Sequence, residues 1–232
     1  MIISGLQKLT LLDYPGKIAA TIFTFGCNFR CGFCHNPELV HAERRVVQNE
    51  LKEEAVLNFL QERQGFLEGV VITGGEPTLH KDLPRFLQKI RELGFSIKID
   101  TNGTNNQMLA ELLNKKLVNF WAMDIKNTFA KYTATVEREI ELEEIKKNIE
   151  LIKNSGLDYE FRTTVVEGLH SAEDILEMAK MISGAKKYVL QKFISRQSLV
   201  NPKYIGQKSF SDENLQNLAK QCEKWVKKCE VR

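Results

Sequence analysis

The chain carries no apolar run approaching the ~20 residues that a bilayer crossing requires. Its first residues, 1–17, do not have the layout of a secretory signal. The expectation is a soluble cytoplasmic protein that makes no membrane contact. A charge excess is also missing, since 33 Lys and Arg against 30 Asp and Glu leave a net charge of +3. Without a basic block, that balance gives no reason to expect nucleic acid as a partner. Internal repeats, low-complexity tracts and long linkers rich in Pro, Gly or Ser are absent, so nothing divides the 232 residues into separate domains. A single domain over residues 1–232 is expected, long enough to bury a sizeable core without staples. Cysteines are few, and their distribution is uneven. Cys27, Cys31 and Cys34 fall within eight residues, while Cys222 and Cys229 lie far away. An odd count spread in this way excludes a disulfide framework and points to a reducing compartment with a metal or redox role.

What is present is an alternation of short β-rich runs with amphipathic helical runs, in an ordinary globular composition of 43% hydrophobic and 27% charged residues. The β-branched and aromatic runs at 18–25, 69–73, 95–100, 119–125, 159–166 and 187–194 read as six buried strands. Helical spacing links Leu51, Val56, Leu57, Phe59 and Leu60, then Leu83, Phe86, Leu87, Ile90 and Leu93 with Gly94 as the stop. The same spacing recurs in Met108, Leu109, Leu112 and Leu113, and in Leu142, Ile145, Ile149 and Ile152. Ser171 and Asp174 form a capping-box pattern for a helix reaching Ile182. A last helix is predicted over about 211–230, with Leu215, Leu218, Cys222, Trp225 and Cys229 on its apolar stripe. Strands alternating with helices imply an α/β fold of parallel units, either an open doubly wound sheet or an incomplete β/α barrel. Both architectures place working groups at the C-terminal ends of strands.

The polar motifs fall where that rule puts them. The loop of about 26–37 follows the first predicted strand and spaces its cysteines C-x3-C-x2-C. Three thiolates on a short loop suit three corners of a soft metal centre. A closed structural zinc site would want a fourth ligand, and His35, adjacent to Cys34, is awkwardly placed to supply one. An iron–sulfur cluster on three cysteines leaves one iron open to a ligand. Gly74, Gly75 and Glu76 close the second predicted strand, where the glycines permit close backbone approach and the carboxylate can accept from an ammonium group. Asp100 closes the third strand, Asp124 and Lys126 the fourth, and Arg162 lies in the fifth. Charges in otherwise apolar strands need partners, and either a zwitterionic ligand or salt bridges at the strand ends would supply them. Cys222 and Cys229 read as core packing. His41, His80 and His170 stand alone in loop-like contexts as surface or capping histidines and receive no role.

The cysteine spacing, with an aromatic residue just before the last cysteine, resembles the signature of the radical S-adenosylmethionine (radical SAM) superfamily. The resemblance implies a partial (β/α)6 TIM-like barrel. It also implies a [4Fe–4S] cluster on Cys27, Cys31 and Cys34, whose open iron chelates S-adenosylmethionine and cleaves it reductively to a 5′-deoxyadenosyl radical. Gly74, Gly75 and Glu76 match the family's GGE motif, which binds the amino group of S-adenosylmethionine. Asp100 and Asp124 match acidic residues that bind S-adenosylmethionine or a monovalent cation beside it. Lys126 and Arg162 match basic residues near its carboxylate and ribose. Phe33 is the expected adenine neighbour, because the stretch 189–193 (VLQKF) lacks the histidine that pyruvate formate-lyase activators carry there.

The opening, Gly5–Lys8 and Leu12–Lys17, together with Cys34–Leu39 (CHNPEL), resembles the anaerobic ribonucleoside-triphosphate reductase activating proteins of the longer type. This implies an activase that removes a glycine Cα hydrogen from a partner glycyl-radical enzyme, with that reductase as target and flavodoxin or ferredoxin as electron donor. The absence of cysteine between Cys34 and Gly69 argues against a ferredoxin-like insert. Two alternatives stand beside the activase. One is radical chemistry on a small molecule, peptide or nucleoside. The other, of a different class, is an iron–sulfur electron carrier or a zinc-stabilised binding module.

Overall fold

The computed structural model describes residues 1–40 and 50–232, and His41 lies outside them. The described chain divides into two compact units. The first comprises Met1–Asn28, Glu38–Thr101 and Asn105–Trp121, and the second comprises Phe29–Pro37, Asn102–Thr104 and Ala122–Arg232.

In the first unit, β1 (Ile3–Thr10) runs antiparallel to β2 (Ala19–Thr24). β2 then pairs in parallel with β3 (Gly69–Gly74), and β3 with β4 (Ser96–Thr101). The parallel strands are buried on both faces, which is why they read as continuous apolar runs and not as alternation. Ala19, Ala20, Ile22, Val70, Val71, Ile72, Ile97 and Ile99 are all inaccessible to solvent. Helix α1 (Pro37–Val40) is a single turn, followed by α2 (Glu53–Glu62), α3 (Leu83–Glu92) and α4 (Asn106–Asn114). α3 buries Leu83, Phe86, Leu87 and Ile90 on one face, as their spacing predicts. Gly94, at φ +90°, ends the helix by adopting the left-handed conformation that glycine tolerates best.

The second unit takes up the chain within β5 (Phe120–Asp124). Its β6 (Asp158–Val165), β7 (Tyr188–Lys192) and β8 (Cys229–Val231) pair in parallel, with Phe161 beside Tyr188 and Tyr188 beside Cys229. Helices α5 (Tyr132–Val136), α6 (Leu142–Lys153), α7 (Ala172–Met181) and α8 (Asp212–Cys222) accompany them. The capping box at the start of α7 is complete, because Ser171 and Asp174 each accept from the other's backbone N–H.

The six predicted strands correspond to β2–β7. The predicted last helix is too long by eight residues, since α8 stops at Cys222 and not at 230. Past Glu223 the chain turns, with Lys227 N–H donating to the Ala185 carbonyl, and Cys229 opens β8. A seven-residue spacing fits a helix stripe, but it also fits a helix end followed by a strand start. Backbone pairing with β7 decides between the two. Both cysteines are buried, as core packing requires.

Candidate functional site

In the first unit, the exit of β2 is stitched to the exit of β3. Gly75 N–H donates to the Thr24 carbonyl (2.8 Å) and Glu76 N–H to the Gly26 carbonyl (2.7 Å). A Cβ on Gly75 would collide with the Gly26 backbone, and one on Gly74 with Thr24. The two glycines are therefore demanded by backbone approach, and Gly74 also by its φ of +114°. The turn delivers Glu76 into the interior at 1% exposure, directly against the segment that leads into Cys27. One oxygen of its carboxylate accepts from Thr78 N–H (3.2 Å), Thr78 Oγ1 (2.6 Å) and Thr101 Oγ1 (2.9 Å). On β4, Lys98 and Asp100 lie two residues apart on one strand face and form an ion pair, with the lysine 1% exposed.

In the second unit, Cys31, Phe33 and Cys34 occupy a turn closed by the Cys34 N–H to Cys31 carbonyl bond (3.0 Å). Phe33 is buried edge-on between the His170 and Tyr204 rings, at centroid distances of 6.5 and 6.0 Å. Asp124, Lys126 and Arg162 form one charged group. Lys126 Nζ and Arg162 Nε lie 2.9 Å from opposite oxygens of the Asp124 carboxylate. Burial alone would raise the pKa of that carboxyl, but the guanidinium and the ammonium overcome it and hold the carboxyl at about 2. Burial alone would lower the Lys126 ammonium, yet Asp124 and then Cys31 outweigh it and raise the lysine well above its ordinary value.

Of the two readings for His170, surface or capping, the structure excludes the surface one, since only 3% of it is exposed. Its Nδ1 accepts from Val166 N–H (3.1 Å), so the ring proton sits on Nε2, which donates to the Lys126 carbonyl (2.9 Å). Burial lowers its pKa and keeps it neutral in this role. Isolated histidines carry no periodicity, so this position has no signature in the sequence. Lys98 was detectable, because a lysine two residues before Asp100 in an apolar strand must share its face. Tyr132, also unassigned from the sequence, donates to the Asp124 carbonyl (3.4 Å). The structure thus brings Gly74, Gly75 and Glu76 together in the first unit, with Asp100 on β4. In the second it gathers Asp124, Lys126 and Arg162, with Cys31, Phe33 and Cys34 on their turn. Cys27 belongs to the first unit, so the loop carrying the three thiols runs from one unit into the other. Among the described residues, no three His, Cys, Asp or Glu side chains are grouped to hold a single metal ion.

The chain is 37% identical over 198 residues to a Methanocaldococcus jannaschii protein named "Putative glycyl-radical enzyme activating enzyme", covering 83% of this chain and 80% of that one. It is 27% identical over 187 residues to the 7-carboxy-7-deazaguanine synthase of Thermococcus kodakarensis, covering 72% and 70%. Among solved structures, a domain of the pyruvate-formate lyase-activating enzyme from Bacteroides vulgatus superposes with a TM-score of 0.56 at 19% identity, covering 71% of this chain and 98% of that one. Streptococcus suis SuiB superposes with a TM-score of 0.68 at 17% identity over 91% of this chain, which spans about half of SuiB's length (48%). The fold is α/β, the partial (β/α)6 barrel of the radical SAM type. The profile of the radical SAM superfamily matches residues 21–188, from within β2 to the start of β7, and so takes in the cysteine loop, the glutamate turn and the charged strand ends. The chain belongs to the radical SAM superfamily.

Proposed function

We propose that this chain, acting as one domain over residues 1–232, is the activase of a glycyl-radical enzyme. Cys27, Cys31 and Cys34 hold a [4Fe–4S] cluster, and S-adenosylmethionine binds beside it. The observation that carries this reading is the buried Glu76, pinned by backbone hydrogen bonds to the segment entering the cysteine loop. Gly74 and Gly75 are required by the close approach of the Thr24 and Gly26 backbone, and that approach sets the turn that delivers Glu76. The donor set fits as well, since three thiols suit iron and sulfide. When bound, the cluster and S-adenosylmethionine supply the electron and the carbon-centred radical that takes a Cα hydrogen from glycine.

The chain's own residues position the reactants. Glu76 receives the ammonium group of S-adenosylmethionine in charge-assisted hydrogen bonds. Lys126 and Arg162 meet its carboxylate and ribose, and Phe33 walls the adenine. Asp100 and Asp124 each hold a cation of the chain in place, Lys98 for the former and Lys126 with Arg162 for the latter. A monovalent cation beside S-adenosylmethionine is proposed with it. Support for an activase comes from the archaeal relative, which this chain matches over most of both lengths. The anaerobic ribonucleoside-triphosphate reductase is the proposed target in the cytoplasm, and flavodoxin or ferredoxin the proposed reductant.

The test is anaerobic. The protein is reconstituted with iron and sulfide, then mixed with S-adenosylmethionine, a low-potential reductant and the co-produced reductase. A glycyl EPR doublet on the reductase is the expected result. No doublet on any anaerobic reductase or lyase from the same genome removes the proposal. The similarity to 7-carboxy-7-deazaguanine synthase supports a second reading, radical chemistry on a small molecule. Product analysis with free nucleosides and peptides distinguishes it.

A further inference from the structure

A strap of chain following β7 lies on the cysteine turn. It starts at Ser195 and returns at Gly206, whose N–H donates to Ser195 Oγ (2.7 Å) and ties the two ends together, the arrangement of an Ω-loop. Its middle meets the turn backbone to backbone. Val200 N–H donates to the Cys34 carbonyl (3.1 Å) and Asn201 N–H to the Gly32 carbonyl (2.8 Å). Tyr204 lies edge-on to Phe33, and a Cβ on Gly32 would come within 2.5 Å of the Tyr204 ring and 2.9 Å of Asn201 Cβ. The strap is itself braced, since the Asn201 side chain accepts from Lys203 N–H (3.0 Å) and Leu199 is buried. At the strap's root the His35 ring stacks on Phe193, with centroids 5.3 Å apart and planes 7° from parallel. His35 Nε2 donates to the Ile194 carbonyl (2.8 Å).

Thus the carbonyls of Gly32 and Cys34, which bracket Phe33, are both taken by the strap, and the ring between them is packed against it. Residues that orient ligands from behind govern how firmly a metal centre is held. We propose that the Ser195–Gly206 strap fixes Cys31 and Cys34 for cluster binding, with Asn201 and Tyr204 as positioning residues. The strap then sets how firmly the cluster is retained. This rests on the cluster assignment made above.

The experiment compares anaerobically reconstituted wild type with Tyr204→Ala, Tyr204→Phe, Gly32→Ala and the double variant Gly32→Ala/Tyr204→Ala. The readouts are the rate at which a ferrous chelator removes iron and the melting temperature of the metal-free protein. Tyr204→Ala is expected to lose iron about 10- to 100-fold faster, the usual cost of removing support from behind a metal ligand. Its metal-free melting is expected to match wild type. Tyr204→Phe should restore retention, and the double variant should recover part of what Gly32→Ala loses, because the tyrosine ring is no longer there to collide. Iron loss at the wild-type rate in Tyr204→Ala overturns the proposal, whether or not Gly32→Ala folds. So does a fall in metal-free melting large enough to account for the faster loss. Failure of the wild type to take up a cluster is a different result, and it removes the cluster assignment itself.

Discussion

Glu76 and Asp124 are both carboxylates at the C-terminal end of a buried strand, one in each unit, and they meet different donors. Two threonine hydroxyls and a backbone amide are among the partners of Glu76. Two cations hold Asp124. In this second arrangement the two cations meet one carboxylate, at opposite oxygens.

The comparison breaks first on stability. Asp124→Asn removes the shared counter-charge of two cations in a poorly solvated group and should cost about 3–5 kcal/mol, the range for a broken buried pair. Denaturant unfolding of the metal-free protein measures it. If Glu76→Gln costs as much, the two carboxylates are not held differently. Next in size is Gly75→Ala, expected to cost about 3 kcal/mol because its Cβ meets backbone that cannot step aside. That loss should not vary with salt or pH, since the turn is set by steric contact and backbone hydrogen bonds. A salt-dependent loss would mean that charge also shapes it.

What the sequence makes legible differs from element to element. β2–β7 were readable because strands buried on both faces are written as apolar runs. β1 was not, because Gln7, Lys8 and Leu9 are exposed along it and its pairing slips register twice. β8 has three residues, too few for any period to show. The cysteine turn and Gly74–Glu76 were legible because their chemistry demands particular residue types at particular spacing. The strap was not, since its main contacts are backbone amides to backbone carbonyls, which any sequence can make. His170 was missed for a related reason. Its role depends on two backbone partners, one of them, Lys126, 44 residues away in the chain.

A smaller effect is expected in acid. The Asp124 carboxyl lies at about 2 in the folded protein against an ordinary 3.8, because Arg162 and Lys126 outweigh the effect of burial. A depressed carboxyl stabilises the fold above its unfolded value and loses that contribution as the pH falls through its folded value. About 2 kcal/mol should therefore disappear between roughly pH 4 and pH 2. Glu230 is held equally low, chiefly by its hydrogen bonds to Lys187 and Lys228, so the wild type alone does not isolate Asp124. The difference between wild type and Asp124→Asn does, and it should narrow by that amount over the window. A difference independent of pH would show that the carboxyl is not depressed in the folded state.

The smallest change in stability should accompany the sharpest change in binding. Glu76→Gln keeps a carbonyl oxygen for Thr78 and Thr101, so the metal-free protein should lose no more than about 1 kcal/mol, the net worth of an ordinary hydrogen bond. What it removes is the negative charge of a carboxylate that is only 1% exposed. Iron and sulfide content after reconstitution should match wild type, whereas the change in the cluster's EPR signal on adding S-adenosylmethionine should require far more ligand or vanish. A companion set, Cys27→Ala, Cys31→Ala and Cys34→Ala, should lose the cluster itself. If Glu76→Gln instead lost cluster and ligand response together, the carboxylate would be supporting the cysteine loop through the Gly26 contact, and the division between an ammonium site and a metal loop would fail.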